Sequence, residues 1–172
     1  MIRETAPQRP NQPSSYRFRP LVPADLVMIE AWLRTPEVMR WWGDPGEQHA
    51  LISADMQDPA MRQWIVETQG RPFAYVQAYA PASWPQPHLA DLPAGSQAID
   101  TFIGEPDMLG QGHGSGFLRA FAEMLISEGA SLLVIDPDAD NHRARSAYMR
   151  AGFVGGNVVE TGDGPAILMF FG

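Results

Sequence analysis

The sequence predicts an α/β (α+β) fold in which a mixed sheet carries helices on both of its faces. Runs rich in β-branched and aromatic residues alternate along the chain with runs whose apolar residues have helical spacing. Two of the β-rich runs, residues 62–69 and 72–80, flank Gly70 and Arg71, which predicts a hairpin. The 172 residues are 45% apolar, enough for a single domain, 1–172, with a sizeable core.

The first half of the chain begins with a strand and three helices. Pro23 opens the first helical pattern, and Gly43 ends the second. Residues 81–97 carry four prolines and predict a long irregular loop, a kind of segment that is often functional. The elements predicted before this loop are strand 16–21, helices 24–33, 35–43 and 46–56, and strands 62–69 and 72–80.

The second half alternates strands with helices. Gly129 ends the helix that follows a glycine-rich segment, and Asn141 and Gly152 are suitable N- and C-caps for the last helix. A Gly-Asp-Gly turn at 162–164 separates the two closing strands. The elements predicted here are strand 98–104, helix 115–128, strand 131–136, helix 141–152, and strands 153–161 and 165–171.

The charge balance limits the classes of partner. The formal net charge is −8, and the 12 basic residues are all arginines. This balance argues against nucleic acid as a partner, since nucleic-acid-binding domains are usually basic. An acidic cleft would concentrate a small cationic substrate, but acidity that only keeps the protein soluble explains the composition equally well.

Signals for a membrane, a disulfide or secretion are missing from the sequence. No apolar run approaches the roughly 18 residues of a membrane span, and there is no cysteine. The first 15 residues form a polar tail without the apolar segment of a secretory signal. We therefore expect no membrane partner and a cytoplasmic protein.

The segment 108–121, MLGQGHGSGFLRAF, has glycine at every second position from Gly110 to Gly116 and then becomes helix-like. A Walker A loop requires lysine, which the chain lacks, and the G-x-G-x-x-G fingerprint fails from each of these glycines. Free N–H groups at the start of a helix, approached closely through glycine, can still bind a phosphate or pyrophosphate. The alternative is a flexible loop followed by an ordinary helix.

A second segment favours the pyrophosphate interpretation. Residues 141–153, NHRARSAYMRAGF, follow the pattern N-x-x-A-x-x-x-Y-x-x-x-G-F. Together the two segments resemble the GNAT superfamily of acetyl-CoA-dependent N-acetyltransferases, which pairs this helix with a Q/R-x-x-G-x-G/A loop. The resemblance implies a GNAT fold, with a mixed, mostly antiparallel sheet of six or seven strands and helices on both faces.

The glycine loop fits that family pattern in two registers. Gln111-x-x-Gly114-x-Gly116 satisfies it literally. Leu109-x-x-Gly112-x-Gly114 lacks the leading Gln or Arg but starts the helix where the apolar pattern starts. We prefer the second register, which leaves Gln111 at a variable loop position.

Further segments are similar to the aminoglycoside 6′-N-acetyltransferases: WWGDP at 41–45, FAYVQAY at 73–79, Ile99-Asp100, DPDADNHRA at 136–144 and DGPA at 163–166. The resemblance implies direct transfer of acetyl from acetyl-CoA to the 6′-amine of an aminoglycoside. Siderophore acetyltransferases that acylate N-hydroxylysine have the same general pattern. Other small amines, a protein N-terminus and a non-catalytic acyl-CoA sensor are further alternatives. A homodimer through the apolar strand 167–171 is possible, but a buried central strand has the same composition.

The resemblance also implies which residues hold the cofactor. The loop 110–114, with the Ser115 N–H, would hold the pyrophosphate, and a backbone N–H near Phe102 or Ile103 would polarise the thioester carbonyl. His113 could touch a phosphate, and Asn141 could bond the pantetheine or simply cap its helix. The full candidate set for acetyl-CoA is Phe102, Ile103, Leu109, Gly110, Gln111, Gly112, His113, Gly114, Ser115, Asn141 and Ala144.

The resemblance also implies two residues for proton transfer, Asp100 and Tyr148. Asp100 would take the proton of the acceptor amine, directly or through water, or hold the ammonium by charge; otherwise it is a solvated or turn-capping residue. Tyr148 would protonate the thiolate of coenzyme A, or else it is a core aromatic of an amphipathic helix. The candidate substrate-binding residues are Trp41, Trp42, Trp84, Asp91, Asp100 and Asp136.

A calcium loop is rejected. Asp136, Asp138 and Asp140 match its positions 1, 3 and 5, but Asn141 stands where glycine is required and Ala147 where glutamate is required. The histidines form no ligand spacing either. We therefore expect no metal.

Overall fold

A computed structural model describes residues 15–172, so all but the last residue of the predicted tail lie outside the described residues. The described chain forms a seven-stranded sheet in the order β1-β2-β3-β4-β5-β7-β6. Its strands are β1 Tyr16–Pro20, β2 Met61–Thr68, β3 Arg71–Tyr79, β4 Ser96–Ile103, β5 Leu132–Ile135, β6 Val154–Thr161 and β7 Gly164–Phe171. Its α-helices are α1 Leu26–Leu33, α2 Pro36–Trp42, α3 Pro45–Asp55, α4 His113–Ser127 and α5 His142–Ala151.

The predicted fold class and elements are confirmed, with small shifts at helix starts. Helix α1 begins two residues later than predicted, because Pro23–Asp25 form a 3₁₀ turn. Helix α4 begins two residues earlier than predicted. The reason is that Gly112 adopts a left-handed conformation (φ 83°) as its N-cap, so that helical backbone starts at His113.

Strands β4 and β5 form the parallel pair of an otherwise antiparallel sheet. They are in register over three residue pairs, from Ser96 with Leu132 to Ala98 with Val134. Strand β5 ends at Ile135, whereas β4 continues to Ile103. The sheet is therefore open beside the second half of β4, and this opening positions the site described below.

Each face of the sheet is covered by its own group of helices. On one face, α1 to α3 bury Ile29 and Ile52 against Tyr75 of β3. On the other face, α4 buries Phe117 and Phe121 in a cluster with strand residues. Burial of these apolar side chains supplies the main stabilisation of the two helical layers.

None of the helices within residues 15–172 is long and apolar enough to cross a membrane. The apolar run 167–171 lies in β7, which is hydrogen-bonded on one side to β5 and on the other to β6. Its composition is therefore explained by a position inside the sheet.

Candidate active site

A large cleft lies where β4 and β5 diverge. It has a volume of about 690 Å³ and is walled by α2, β3, β4, the chain after β5, loop 81–95 and the β6–β7 hairpin. Of the described residues that line it, five carry carboxylates and none is an arginine. These carboxylates are Asp100, Asp136, Asp138, Glu160 and Asp163. A cleft with this lining favours a substrate that carries several positive charges.

A narrow groove of about 110 Å³ lies beside it, between β4, α2 and the first turns of α4 and α5. Its lining is mostly apolar and includes Val38, Ile103, Leu109, Phe117 and Ala147. The groove therefore suits a slender, largely apolar chain better than a charged group.

The narrow groove and the large cleft meet at one place. Five residues line both: Trp41, Trp42, Thr101, Asn141 and Tyr148. A molecule that extends along the groove would bring its end to this junction, within reach of a second molecule in the cleft. The arrangement suits transfer of a group between two ligands.

Asp100 projects from β4 into the large cleft and is half-buried. One carboxylate oxygen accepts a hydrogen bond from Gln77 Nε2 at 2.8 Å. Burial, together with the nearby charge of Asp136, raises the pKa of Asp100 to about 7, and the bond from Gln77 opposes that rise. A carboxylate with a pKa near neutrality can accept a proton more readily than an ordinary aspartate.

Asp136 follows the end of β5 and forms the other acidic wall of the cleft. The turn that carries it is held to β7, because Ile167 N–H donates to the carbonyl of Pro137 at 2.9 Å. Its Oδ2 accepts a hydrogen bond from Nε2 of His88 at 2.8 Å, and the His88 side chain is only 4% exposed. Burial raises the pKa of Asp136, whereas the bond from His88 lowers it.

Tyr148 projects from α5 to the junction of groove and cleft. Burial, followed by the negative charges of Asp100 and Asp136, raises the pKa of its hydroxyl above the usual value for tyrosine. The hydroxyl is therefore protonated at neutral pH. It can donate a proton or a hydrogen bond to a group at the junction.

The glycine-rich segment borders the narrow groove, whose lining includes Leu109 and Gly114. Gly110 and Gly112 have left-handed backbone, with φ of 71° and 83°, and α4 begins directly after them. The first N–H groups of a helix lack intrahelical acceptors, and the helix dipole makes this end attractive to anions. The start of α4, beside the groove, is thus suited to a phosphate or pyrophosphate.

Comparison with known proteins identifies the family to which the chain belongs. Residues 22–161 match the family described as acetyltransferase (GNAT) domain. The chain belongs to the GNAT acetyltransferase family. It is 29% identical over 174 residues to aminoglycoside N(6′)-acetyltransferase type 1 of Klebsiella pneumoniae, with 92% of this chain and 84% of that protein covered. It is 36% identical to a kanamycin resistance protein of Rhizobium radiobacter over 76 residues, 44% of this chain and 70% of that one.

A solved structure of an aminoglycoside acetyltransferase has the same fold. The fold matches aminoglycoside acetyltransferase AAC(6′)-Ib in complex with coenzyme A and kanamycin, with a TM-score of 0.81 and 27% identity. The match covers 91% of this chain and 94% of that one.

Within this GNAT domain, the residues of the glycine loop lie in different surroundings. Leu109 and Gly114 line the narrow groove, whereas Gln111 turns back and donates to the backbone carbonyl of Asp107. Gly116 has a packing role instead, because a Cβ there would lie 2.7 Å from the Tyr16 hydroxyl.

Several cofactor candidates already have partners in the protein. Nδ1 of His113 is hydrogen-bonded to the Tyr16 hydroxyl at 3.0 Å, and the ring packs on Phe73, so the His113 side chain is directed toward the sheet. Ser115 Oγ donates to the carbonyl of Gly112 at 3.1 Å. Asn141 Oδ1 accepts from Ala144 N–H at 3.1 Å, which confirms the expected helix cap.

Two backbone N–H groups of β4, those of Phe102 and Ile103, are candidates for polarising the thioester carbonyl. The hydrogen-bonding pattern of the strand distinguishes them. Gly104 N–H donates to the carbonyl of Phe73 at 2.8 Å, and Phe102 is paired with Tyr75 of β3. Alternate residues of an antiparallel strand bond to the same neighbour, so Phe102 directs its N–H toward β3. The N–H of Ile103 points to the other side, where β5 has already ended.

The adjacent tryptophans of α2 both lie at the junction. Trp42 packs edge-on against Phe102 at 4.9 Å and against Tyr75 at 6.2 Å. Trp41 lies beneath the guanidinium of Arg40 at 4.7 Å. Both indoles line the groove and the cleft, so both share in forming the junction.

Two expected substrate contacts, Trp84 and Asp91, lie away from the cleft. Trp84 packs on Tyr79 at 6.4 Å in a separate apolar cluster that contains Leu89, and Asp91 is exposed. Neither lines the large cleft. Loop 81–95 instead directs its segment 85–88 inward, because His88 bonds Asp136 and Gln86 bonds Tyr79.

Sequence reasoning missed several polar side chains of the cleft. The alternation in the strand FAYVQAY could have indicated that Gln77 and Tyr79 share a face with Tyr75. His88 had no local signal, since its partner Asp136 is 48 residues away. Within residues 15–172, no group of three or more His, Asp or Glu side chains could hold a metal ion.

Proposed function

We propose that this GNAT protein transfers acetyl from acetyl-CoA to the 6′-amine of an aminoglycoside. The observation that carries the proposal is the junction of an apolar groove with a large, arginine-free cleft that is lined by five carboxylates. Aminoglycosides are polycationic, and relatives of this chain are named as acetyltransferases of these drugs.

The residues present fit acetyl-CoA. The N–H groups at the start of α4, together with Gly110 and Gly112, suit the pyrophosphate, and the apolar groove suits the pantetheine. When bound, this group supplies an activated acetyl thioester. Of the candidate set, Leu109 and Ala144 would contact its chain through the groove lining.

The protein's own residues then have distinct roles at the junction and on either side of it. Asp100 holds the acceptor ammonium and accepts its proton, directly or through water. The N–H of Ile103 is directed where it could polarise the thioester carbonyl, and the hydroxyl of Tyr148 would donate its proton to the leaving sulfur. Asp136, with Asp138, Glu160 and Asp163, attracts the other amines of the substrate.

Acylation of N-hydroxylysine fits the cleft less well. The carboxylate of that substrate would need a basic side chain, and the candidates are Arg40, Arg62 and Arg71. Arg62 is paired with Glu128 at 2.7 Å and Arg71 with Asp107 at 2.8 Å, whereas Arg40 lies over Trp41. None of the three lines the large cleft.

The direct test is release of the coenzyme A thiol from acetyl-CoA with kanamycin or tobramycin, in parallel with N6-hydroxylysine and spermidine. We expect turnover with the drugs and a singly acetylated product with the acetyl on the 6′-amine, identified by mass spectrometry. Turnover of hydroxylysine without turnover of either drug would contradict the proposed substrate and retain the chemistry. Tight binding of acetyl-CoA without turnover of any amine would indicate a sensor.

We also propose that residues 1–172 form a single acetyltransferase domain that works in the cytoplasm, where acetyl-CoA is supplied. A homodimer would use the edge strand β6, since β7 is internal and Val154 and Val158 of β6 are exposed. Sedimentation of the wild type and of Val158→Glu would test this arrangement. A dimer that persists unchanged in the variant would exclude the β6 interface.

A further inference from the structure

A chain of buried hydrogen bonds runs from helix α3 to Asp100. Gln63 Nε2 donates to the carbonyl of Ile52 and to the hydroxyl of Tyr75, both at 3.0 Å. The Tyr75 hydroxyl donates to Gln77 Oε1 at 2.6 Å, and Gln77 Nε2 donates to Asp100 at 2.8 Å. Tyr75 is fully buried, and Gln63 and Gln77 are each 9% exposed.

When Asp100 is ionised, the donors and acceptors of this series of hydrogen bonds can be arranged in only one way. A carboxylate only accepts hydrogen bonds, so the amide nitrogen of Gln77 must face it. The amide oxygen of Gln77 then faces the interior and requires a donor, which is the hydroxyl of Tyr75. That hydroxyl has one proton, so its contact with Gln63 must be one in which it accepts.

We propose that Tyr75 is a positioning residue, which acts through Gln77 by fixing the amide in the orientation that donates to Asp100. Without the Tyr75 hydroxyl, the oxygen of Gln77 would be buried without a donor. A rotated amide would instead present its oxygen to Asp100, which favours a protonated carboxyl. The proposal deepens the proposed function and rests on it where acetyl transfer is the readout.

The other groups that face Asp100 do not favour its ionised form. Asp136 lies across the cleft after β5, Tyr148 projects from α5, and Tyr79 projects from β3. His88, from loop 81–95, is bonded to Asp136. The bond from Gln77 lowers the pKa of Asp100 against burial and against the charge of Asp136. The orientation of the Gln77 amide therefore affects the protonation state of Asp100.

The test is Tyr75→Phe, which removes the hydroxyl and retains a ring that stacks on Phe102 at 5.3 Å. We expect the carboxyl ¹³C NMR titration of Asp100, recorded without substrate, to have a higher midpoint in this variant. With an aminoglycoside, kcat/KM at pH 6 should fall about three- to tenfold and converge with the wild type above about pH 9, since one pKa unit is a factor of ten. The substrate amine titrates identically for both proteins, so the difference reports the enzyme.

Gln63→Leu is the matched control. It removes two bonds from the same buried chain, but the Tyr75 hydroxyl still has Gln77 Oε1 as its acceptor. The Asp100 midpoint should therefore stay at the wild-type value, even if the thermal stability falls. An unchanged midpoint in folded Tyr75→Phe, or equal shifts in the two variants, would overturn the proposal.

The role of Tyr75 can still be tested if no aminoglycoside is acetylated or if Tyr75→Phe does not fold. If no aminoglycoside is acetylated, the proposed function fails, whereas the substrate-free titration still decides the role of Tyr75. If Tyr75→Phe does not fold, hydrogen exchange in the wild type provides the test. A fixed chain requires slow exchange of the Tyr75 hydroxyl proton and of the Gln77 side-chain amide, and fast exchange of both would overturn the proposal.

Discussion

The narrow groove and the large cleft share a junction but are lined by different kinds of chemical group. The groove is lined mostly by apolar side chains from α2, the end of β4, the start of α4 and helix α5, and the glycine loop before α4 borders it. The cleft uses polar side chains from widely separated parts of the chain, including β3, loop 81–95, α5 and the β6–β7 hairpin. A cofactor site made of local backbone geometry leaves a local signal in sequence, whereas an acceptor site assembled from distant side chains does not.

The largest expected effect is that of a substitution at Asp100, which lines the cleft but not the groove. We expect Asp100→Asn to lower kcat/KM for an aminoglycoside about 10²–10³-fold, because it removes the proton acceptor and the charge that holds the amine. The wild-type kcat/KM should rise with pH through about 7, as the Asp100 carboxylate forms, and the variant should lose this limb. Steady-state kinetics from pH 5.5 to 9 would measure both.

Binding of acetyl-CoA provides the contrast for that variant. The Kd for acetyl-CoA, measured by calorimetry, should be unchanged in Asp100→Asn, since Asp100 does not line the groove. Asp91→Asn is the control, because Asp91 is exposed outside the cleft, and it should retain wild-type kinetics. Equal activity of the two variants would contradict the role of Asp100.

The same contrast explains how much could be predicted from sequence. The fold and the glycine loop follow from hydrophobic periodicity and local spacing. The choice of Asp100, inside β4, and of Asp136, directly after β5, follows from family motifs. Loop 81–95 has no periodicity, so the directions of its side chains depend on tertiary packing. Trp84 accordingly turns onto Tyr79, and His88, which carried no prediction, reaches Asp136.

An intermediate effect is expected from the backbone of the groove. Gly112 has φ of 83°, and alanine in left-handed backbone costs about 1–2 kcal/mol. We expect Gly112→Ala to raise the Kd for acetyl-CoA about five- to thirtyfold, because the loop would relax away from the geometry that presents its N–H groups. Binding of the aminoglycoside should be unaffected.

Gly129→Ala is the matched control for the backbone cost. Gly129 also has positive φ (106°), and at both glycines an added Cβ would have no heavy atom within 4 Å beyond the adjoining backbone. Gly129 follows the other end of α4, so the variant should lose similar stability and keep its Kd for acetyl-CoA. An equal rise of Kd in both variants would show that general destabilisation, and not the loop, weakens binding.

The smallest expected effect concerns His88, which links the irregular loop to the acidic wall of the cleft. In His88→Ala, Asp136 loses the donor that favours its ionised form, so the pKa of Asp136 should rise. We expect the KM for the aminoglycoside to increase about three- to tenfold at pH 6 and less at pH 8, with little change in kcat. His88→Gln, whose amide nitrogen can replace Nε2, should recover most of the loss, and His49→Ala should behave as wild type. A kcat that falls while KM stays constant would place the action of His88 in the chemical step, and would remove the distinction between a cleft that gathers the amine and a junction that acetylates it.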